Sequence, residues 1–147
     1  MAITLVRRKK GADMIDHIYV PVRDVTRSTE FYARALESLG WRAIGAYDAS
    51  AAPERVPDAF GFGDQSGASI WLQELETEGY KLYIGIAAPD RAAVDAVYAA
   101  ALAAGAIDND GPGIRRYFGD GYYAANVFDP DGHSLEFVHK SYTPSWA

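Results

Sequence analysis

Residues 16–36, DHIYVPVRDVTRSTEFYARAL, recur in altered form 66 positions later as residues 82–102, LYIGIAAPDRAAVDAVYAAAL. Each stretch has apolar residues at every second position, as in a strand, and then an apolar stripe at helical spacing. A shift of 65 places residues 64–70 on residues 129–135 in the same way. A module of this size buries its own sheet poorly. The repeat therefore predicts two similar modules around a pseudo-two-fold axis, with a ligand groove between their sheets.

The repeat predicts an α+β fold made of two tandem βαβββ modules, which form a pseudo-two-fold pair of curved sheets around a central groove. We expect an N-terminal tail at 1–13, a first module at 14–75 and a second module at 80–140. The two modules together form one domain over 14–147. The predicted strands lie near 15–22, 41–47, 58–63, 67–75, 80–87, 113–117, 122–128 and 133–139.

Local signals mark the ends of the two predicted helices. Asp24 or Thr26 is expected to cap the first helix and Asp90 the second, because short polar side chains accept hydrogen bonds from free N–H groups of the first turn. Gly40 and Gly105 are expected to end these helices in the left-handed conformation. Two longer connections, at 48–57 and 108–116, are candidate lids beside the groove.

Composition narrows the classes of partner. The net charge of −6 argues against nucleic acid, since non-specific affinity for phosphates comes from a basic surface. The chain has no cysteine, which excludes disulfides, thiolate metal sites and a cysteine nucleophile, and fits a reducing cytosol. No apolar run reaches the roughly 18 residues of a membrane helix. We therefore expect a cytoplasmic protein that binds a small molecule and neither nucleic acid nor membrane.

Strand alternation predicts which side chains line the groove. The apolar residues of the strands should pack under the helices, and the residues between them should face the groove. The repeat relates His17 to Tyr83 and Trp71 to Glu136, so these four positions are symmetry-related corners of one cavity. The predicted lining is His17, Tyr19, Ser69, Trp71, Gln73, Tyr83, Gly85, Ser134 and Glu136.

His17 and Glu136 are the candidate catalytic residues. A histidine and a glutamate on one polar face can hold a divalent cation or transfer a proton. The alternative is a plain hydrogen bond between them in a hydrated groove.

The aromatic residues of this face predict a binding site for a flat, partly apolar ligand. If the turn at 129–132 has four residues, Glu136 pairs with Ala125, Tyr123 faces the groove and Asn126 faces the helices. Tyr19, Trp71 and Tyr123 would then be aromatic walls for substrate, together with Tyr83. Gln73 would be a polar contact, and Arg115 would meet a substrate carboxylate at the rim.

The sequence resembles the vicinal oxygen chelate superfamily, which includes glyoxalase I, extradiol dioxygenases and bleomycin-resistance proteins. The resemblance is carried by residues 15–18 (IDHI), by residues 26–32 (TRSTEFY) with Leu39 and Gly40, and by residues 129–136 (DPDGHSLE). It implies paired βαβββ modules, a homodimer, and a metal held by a histidine on the first strand, a histidine on the fifth and a glutamate on the last.

The ligand set implied by this resemblance is altered in this chain. His17 and Glu136 occupy the first and last positions, but Tyr83 occupies the middle one. A phenol has a pKa of ~10, so ionising it at pH 7 costs roughly 4 kcal/mol before any metal repays it. A divalent Fe, Zn, Ni or Mn ion on His17, Glu136 and Tyr83 is therefore only one of the alternatives.

Three functions remain open on the sequence. The first is a metal-dependent lyase, isomerase or dioxygenase of the glyoxalase type, in which His17 and Glu136 hold the metal. The second is a metal-free binding protein of the bleomycin-resistance type. The third is a metal-free isomerase or lyase that uses His17, Glu136 or Tyr83 as acid and base. Whether the chain is an enzyme is left undecided by its residues.

Overall fold

The computed structural model describes residues 15–48, 58–65, 67–76 and 79–142. The predicted tail at 1–13 and most of the candidate lid at 48–57 lie outside these residues. The elements, in chain order, are β1 (His17–Val22), α1 (Val25–Leu36) with a 3-10 turn (Glu37–Leu39), β2 (Arg42–Tyr47), β3 (Ala59–Gly63), β4 (Ser69–Glu74), β5 (Tyr83–Ala87), α2 (Arg91–Ala103), β6 (Ile107–Ile114), β7 (Tyr122–Phe128) and β8 (Ser134–Lys140).

The strands form two four-stranded sheets with the orders β1-β4-β3-β2 and β5-β8-β7-β6. In each sheet the outer strand that begins the module pairs in parallel with the strand that ends it, and the other pairs are antiparallel. His17 lies opposite Ser69 and Tyr83 lies opposite Ser134, so the register is the same in both modules. The predicted α+β fold of two tandem βαβββ modules is confirmed, and its two sheets are open.

The predicted helix ends are also confirmed. The Asp24 carboxylate accepts a hydrogen bond from the N–H of Arg27 at 2.9 Å, and the Asp90 carboxylate accepts one from Ala93 at 2.7 Å. Gly40 has a φ of 78° and Gly105 a φ of 105°, which are left-handed conformations that favour glycine. The helices therefore begin and end where the repeat places them.

The prediction for β6 was wrong. The strand expected at 113–117 is Ile107–Ile114, so most of the predicted loop at 108–116 is a strand. Its pairing with β7 shifts between Asp108 and Asp110 and again between Asp110 and Gly113. These irregularities and the edge position of β6 accommodate Pro112, which has no N–H to donate to a ladder.

The two modules meet through their helices and through the turn at residues 129–133. Helices α1 and α2 pack against each other, each on its own sheet. The Asp129 carboxylate accepts a hydrogen bond from the hydroxyl of Tyr32 at 2.7 Å. The Asp131 carboxylate accepts bonds from the hydroxyl of Ser28 at 3.1 Å and from the backbone N–H of Arg23 at 3.0 Å. Both carboxylates are buried, so these bonds replace the water that burial removes.

His133 completes this contact between the modules. Its Nδ1 accepts a hydrogen bond from the N–H of Leu82 at 3.0 Å, so the neutral ring carries its proton on Nε2. That nitrogen lies 2.6 Å from the carbonyl oxygen of Pro21 on β1, to which it donates. The fully buried imidazole therefore connects the start of the second module to the first strand of the first.

Replacing Tyr32 with Phe should lower the free energy of unfolding by about 1–3 kcal/mol, because the buried Asp129 carboxylate loses a donor. The matched control is Tyr98→Phe, at the position that the repeat relates to Tyr32. Tyr98 donates to the exposed Asp108, so this change should cost about 0.5 kcal/mol or less. Urea unfolding of both variants measures the difference. Equal losses would mean that the contact between modules is not stabilising.

Candidate functional site

The polar end of β1 carries an exposed histidine and an exposed tyrosine. Nδ1 of His17 lies 2.9 Å from a carboxylate oxygen of Asp16, and the ring meets Tyr19 edge to face at a centroid distance of 5.6 Å. A neutral His17 that donates from Nδ1 to this carboxylate has its lone pair on Nε2. His17 and Tyr19 thus present one base and one aromatic ring on the open face of the first sheet.

Trp71 lies flat across the same sheet. A side chain at Gly61, directly opposite on β3, would place its Cβ 2.9 Å from the indole ring, and one at Gly45 on β2 would place it at 3.7 Å. The two glycines therefore leave the space that the ring fills. The indole N–H donates to the hydroxyl of Ser69 at 3.2 Å. Gln73 follows two residues along β4, half-buried on the same face.

The second sheet holds a compact polar group around Glu136, which is only 5% exposed. The hydroxyl of Tyr83 donates to Oε2 of Glu136, and the hydroxyl of Tyr122 donates to Oε1. The side-chain amide of Asn126 donates to the hydroxyl of Tyr83 at 2.9 Å. We call these four residues the phenol–carboxylate cluster. Each oxygen of the Glu136 carboxylate therefore already accepts a hydrogen bond from a phenol hydroxyl.

Both phenols are held in the protonated form. Burial, and then the hydrogen bond to Glu136, raise the pKa of Tyr83 above its ordinary value, while the amide of Asn126 opposes the shift. Burial, and then the hydrogen bond to Glu136, also raise the pKa of Tyr122 well above its ordinary value. The two tyrosines are therefore neutral donors near pH 7, and Glu136 supplies the only charge of the cluster.

Two exposed aromatic rings, those of Tyr117 and Phe118, lie beside the cluster. The ring of Phe118 lies 4.6 Å from that of Tyr117 and 5.0 Å from that of Tyr122, between centroids. Tyr83 is 63% exposed, Tyr117 75% and Phe118 56%, although each is large and apolar over most of its surface. We call Tyr83, Tyr117, Phe118 and Tyr122 the aromatic patch. Exposed apolar area of this kind marks binding surfaces.

The turn between β6 and β7 places these rings. The N–H of Arg115 donates to the carbonyl of Tyr122 at 2.8 Å, and the N–H of Phe118 donates to the carbonyl of Arg115 at 2.9 Å. Gly119, with a φ of 142°, reverses the chain in a conformation that side chains rarely adopt. The turn is thus closed by its own backbone bonds and presents Tyr117 and Phe118 outward.

Tyr123 does not line the site, because the predicted register of β7 and β8 was wrong by one residue. Glu136 lies opposite Asn126, and Tyr123 lies opposite His139. The hydroxyl of Tyr123 donates instead to Asp95 on α2 at 2.7 Å. The buried polar Asn126, which the predicted register left on the helix side, was the signal in the sequence that could have corrected it.

The reason for the shift is that the turn has five residues, 129–133. The carboxylate of Asp129 accepts the N–H groups of Asp131 at 2.9 Å and of His133 at 2.8 Å. Gly132 takes a positive φ of 83°, and Phe128 pairs with Ser134. These bonds stabilise the longer turn. Because the turn has one residue more than predicted, Tyr122 lies on the open face of the sheet in place of Tyr123.

Arg115 is buried in the structure and does not lie at the rim as predicted. Its guanidinium donates to the carbonyl of Gly111 at 2.8 Å and lies 3.1 Å from a carboxylate oxygen of Asp110. It thereby supports the irregular middle of β6. The expected contact with a substrate carboxylate is not compatible with this position.

The residues present do not fit the divalent metal that the resemblance implies. His17 contacts Asp16 and Tyr19 on the first sheet, whereas Glu136 contacts Tyr83 and Tyr122 on the second. Both oxygens of Glu136 accept hydrogen bonds from phenols, and neutral phenols are poor ligands for Zn²⁺ and similar ions. In the described ranges, no three His, Asp or Glu side chains come together as a metal site.

The fold consists of two open sheets from a repeated βαβββ module, and each sheet carries polar and aromatic residues on its free face. A family model described as the Glyoxalase/Bleomycin resistance protein/Dioxygenase superfamily matches residues 14–137, and the chain belongs to this superfamily. No curated protein matches the sequence. None of the helices in the described part of the chain has the length and apolarity of a membrane span.

Solved structures share the fold at low identity. A glyoxalase/bleomycin resistance protein from Albidiferax ferrireducens T118 is 23% identical, with a TM-score of 0.66 over 86% of this chain and 98% of that one. TioX from Micromonospora sp. ML1 is 17% identical, with a TM-score of 0.62 over 86% and 98%. A glyoxalase I mutant from Zea mays is 20% identical, with a TM-score of 0.63 over 88% and 46%.

Replacing Tyr83 with His should raise the affinity for Zn²⁺ by about tenfold or more, because an imidazole replaces a protonated phenol next to Glu136. The control is Tyr80→His, since Tyr80 is 76% exposed and outside the cluster. Calorimetric titration with Zn²⁺ compares both variants with the wild type. Tight binding by the wild type, or equal gains in both variants, would contradict the arrangement of Tyr83 and Glu136.

Proposed function

We propose that this chain is a metal-independent small-molecule-binding protein whose ligand lies on the aromatic patch of the second sheet. One observation carries the proposal: both carboxylate oxygens of Glu136 accept hydrogen bonds from neutral phenols. Both oxygens of the residue that would be the metal ligand thus already have a hydrogen-bond donor within the chain. This favours the bleomycin-resistance type of the superfamily over the glyoxalase or dioxygenase type, in which His17 and Glu136 would act as metal ligands.

The surface chemistry supports a flat, partly apolar ligand. The ring of Phe118 contacts the rings of Tyr117 and Tyr122, and Tyr117 and Phe118 are largely exposed. Aromatic rings bind other flat rings by stacking and edge contacts, which add about 0.5–1.5 kcal/mol to the burial of area. The cluster beneath them offers the polar contacts that give such a site its orientation.

A metal-free isomerase or lyase is the second candidate, and the Asp16–His17 contact favours it. The carboxylate holds the imidazole through Nδ1, so Nε2 is available as a base. Such an enzyme would need its substrate to reach both His17 on β1 and Glu136 on β8. These residues belong to different sheets, and within the described residues no hydrogen bond joins them.

We also propose a homodimer in the cytoplasm. The superfamily resemblance suggests the dimer, and the open face of the first sheet carries exposed apolar residues that a second copy would cover, among them Tyr19 and Ile44. The lack of cysteine fits a reducing compartment. Sedimentation equilibrium should give about twice the 16.0 kDa of one chain, and a monomer at all concentrations would remove the dimer.

A neutral aromatic probe tests the binding function directly. Benzamide, added at millimolar concentration to the wild-type protein in EDTA, should shift the NMR signals of the aromatic patch in a saturable way. The NMR signals of Tyr19 and Trp71 show whether benzamide binds to the first sheet instead. Binding that is lost in EDTA and restored by one equivalent of a metal ion would support the metal-dependent enzyme and contradict the proposal.

A further inference from the structure

The hydrogen bonds of the two phenols and Glu136 leave only acceptor atoms of these three residues free for a ligand. The hydroxyl protons of Tyr83 and Tyr122 are both directed at Glu136. The oxygen of Tyr83 also accepts the amide of Asn126, which leaves it one lone pair, and the oxygen of Tyr122 has two. Asn126 is itself buried beneath these groups. A ligand that meets the cluster must therefore donate hydrogen bonds to it.

The negative charge of Glu136 also favours a cationic ligand over an anionic one. Glu136 is almost completely buried, and within the described ranges no Lys, Arg or His forms an ion pair with it. Its stabilisation comes from two neutral phenols. A buried carboxylate without a counter-charge attracts a cation and repels an anion, since the interaction is poorly screened there.

The aromatic patch adds to this preference. Ring faces carry negative potential and attract cations placed within about 6 Å of their centroids. The ammonium of Lys140 already lies 5.4 Å from the centroid of the Tyr122 ring. Tyr117 and Phe118 offer further exposed ring surface beside it.

From these observations we propose that the site recognises an aromatic cation with N–H donors, such as an arylammonium or arylamidinium group. Its positive nitrogen donates to the oxygens of Tyr83 and Tyr122 beside the buried charge of Glu136, and its flat part contacts Tyr117 and Phe118. Carboxylates and other oxygen anions are disfavoured at the same place because they meet lone pairs and a negative charge. The inference rests on the proposed function, since it assigns a ligand class to the same surface.

Three probes of nearly the same shape test the cation preference and the binding function separately on the wild-type protein. Benzamidine is a cation with N–H donors, benzamide is neutral and benzoate is an anion. NMR titration at low ionic strength should give benzamidine an affinity about tenfold above that of benzamide, with benzoate weakest. If benzamide or benzoate binds the patch as well as benzamidine, the cation preference is wrong and the binding function stands. If none of the three shifts the patch, both are wrong.

Two charge changes of opposite sign check the role of the cluster. Glu136→Gln should weaken benzamidine binding by about tenfold, because it removes the negative charge beside the ligand. Lys140→Gln removes a competing cation from the ring of Tyr122 and should strengthen benzamidine on the order of threefold. Lys140 is exposed, so its replacement keeps the test valid even if the Glu136 variant folds poorly. Weaker binding of benzamidine by Lys140→Gln would overturn the proposal.

Discussion

The arrangement of this protein depends on the buried turn at residues 129–133, whose two carboxylates and one imidazole each form a hydrogen bond with the first module. Asp129 accepts the hydroxyl of Tyr32, Asp131 accepts that of Ser28, and His133 donates to the carbonyl of Pro21. Burying such groups is costly unless each has partners, so the network specifies one orientation of the turn. The same turn sets the register of β7 on β8, and with it the residues that reach Glu136.

The two modules have the same fold but different open faces. The repeat relates the Gly61–Trp71 pair of the first sheet to the Asn126–Glu136 pair of the second, and both pairs lie directly opposite across a strand. In the first sheet the glycine gives space to an indole ring. In the second, the asparagine supports Tyr83, which donates to Glu136. One scaffold therefore carries an aromatic floor on one sheet and a charged hydrogen-bond cluster on the other.

Much of the fold could be predicted from the sequence, because the repeat and the caps at Asp24 and Asp90 are local patterns with a direct physical meaning. The corners His17, Tyr83 and Glu136 follow from strand alternation. Tyr122 could not be found in this way, since its position depends on one extra residue in a turn held by Asp129. The bounds of β6 were misplaced because its glycines and proline are typical of loops, and its middle is supported by the buried side chain of Arg115, which follows the strand.

We propose that two neutral phenols take the place of a metal ion at Glu136. The most direct measurement is a crystal structure of the wild-type protein, purified without chelators and soaked in Zn²⁺, with anomalous data collected at the zinc edge. We expect no anomalous peak at Glu136, and the hydroxyls of Tyr83 and Tyr122 within hydrogen-bond distance of its two oxygens. A peak bonded to Glu136, with either phenol displaced from the carboxylate, would contradict the claim.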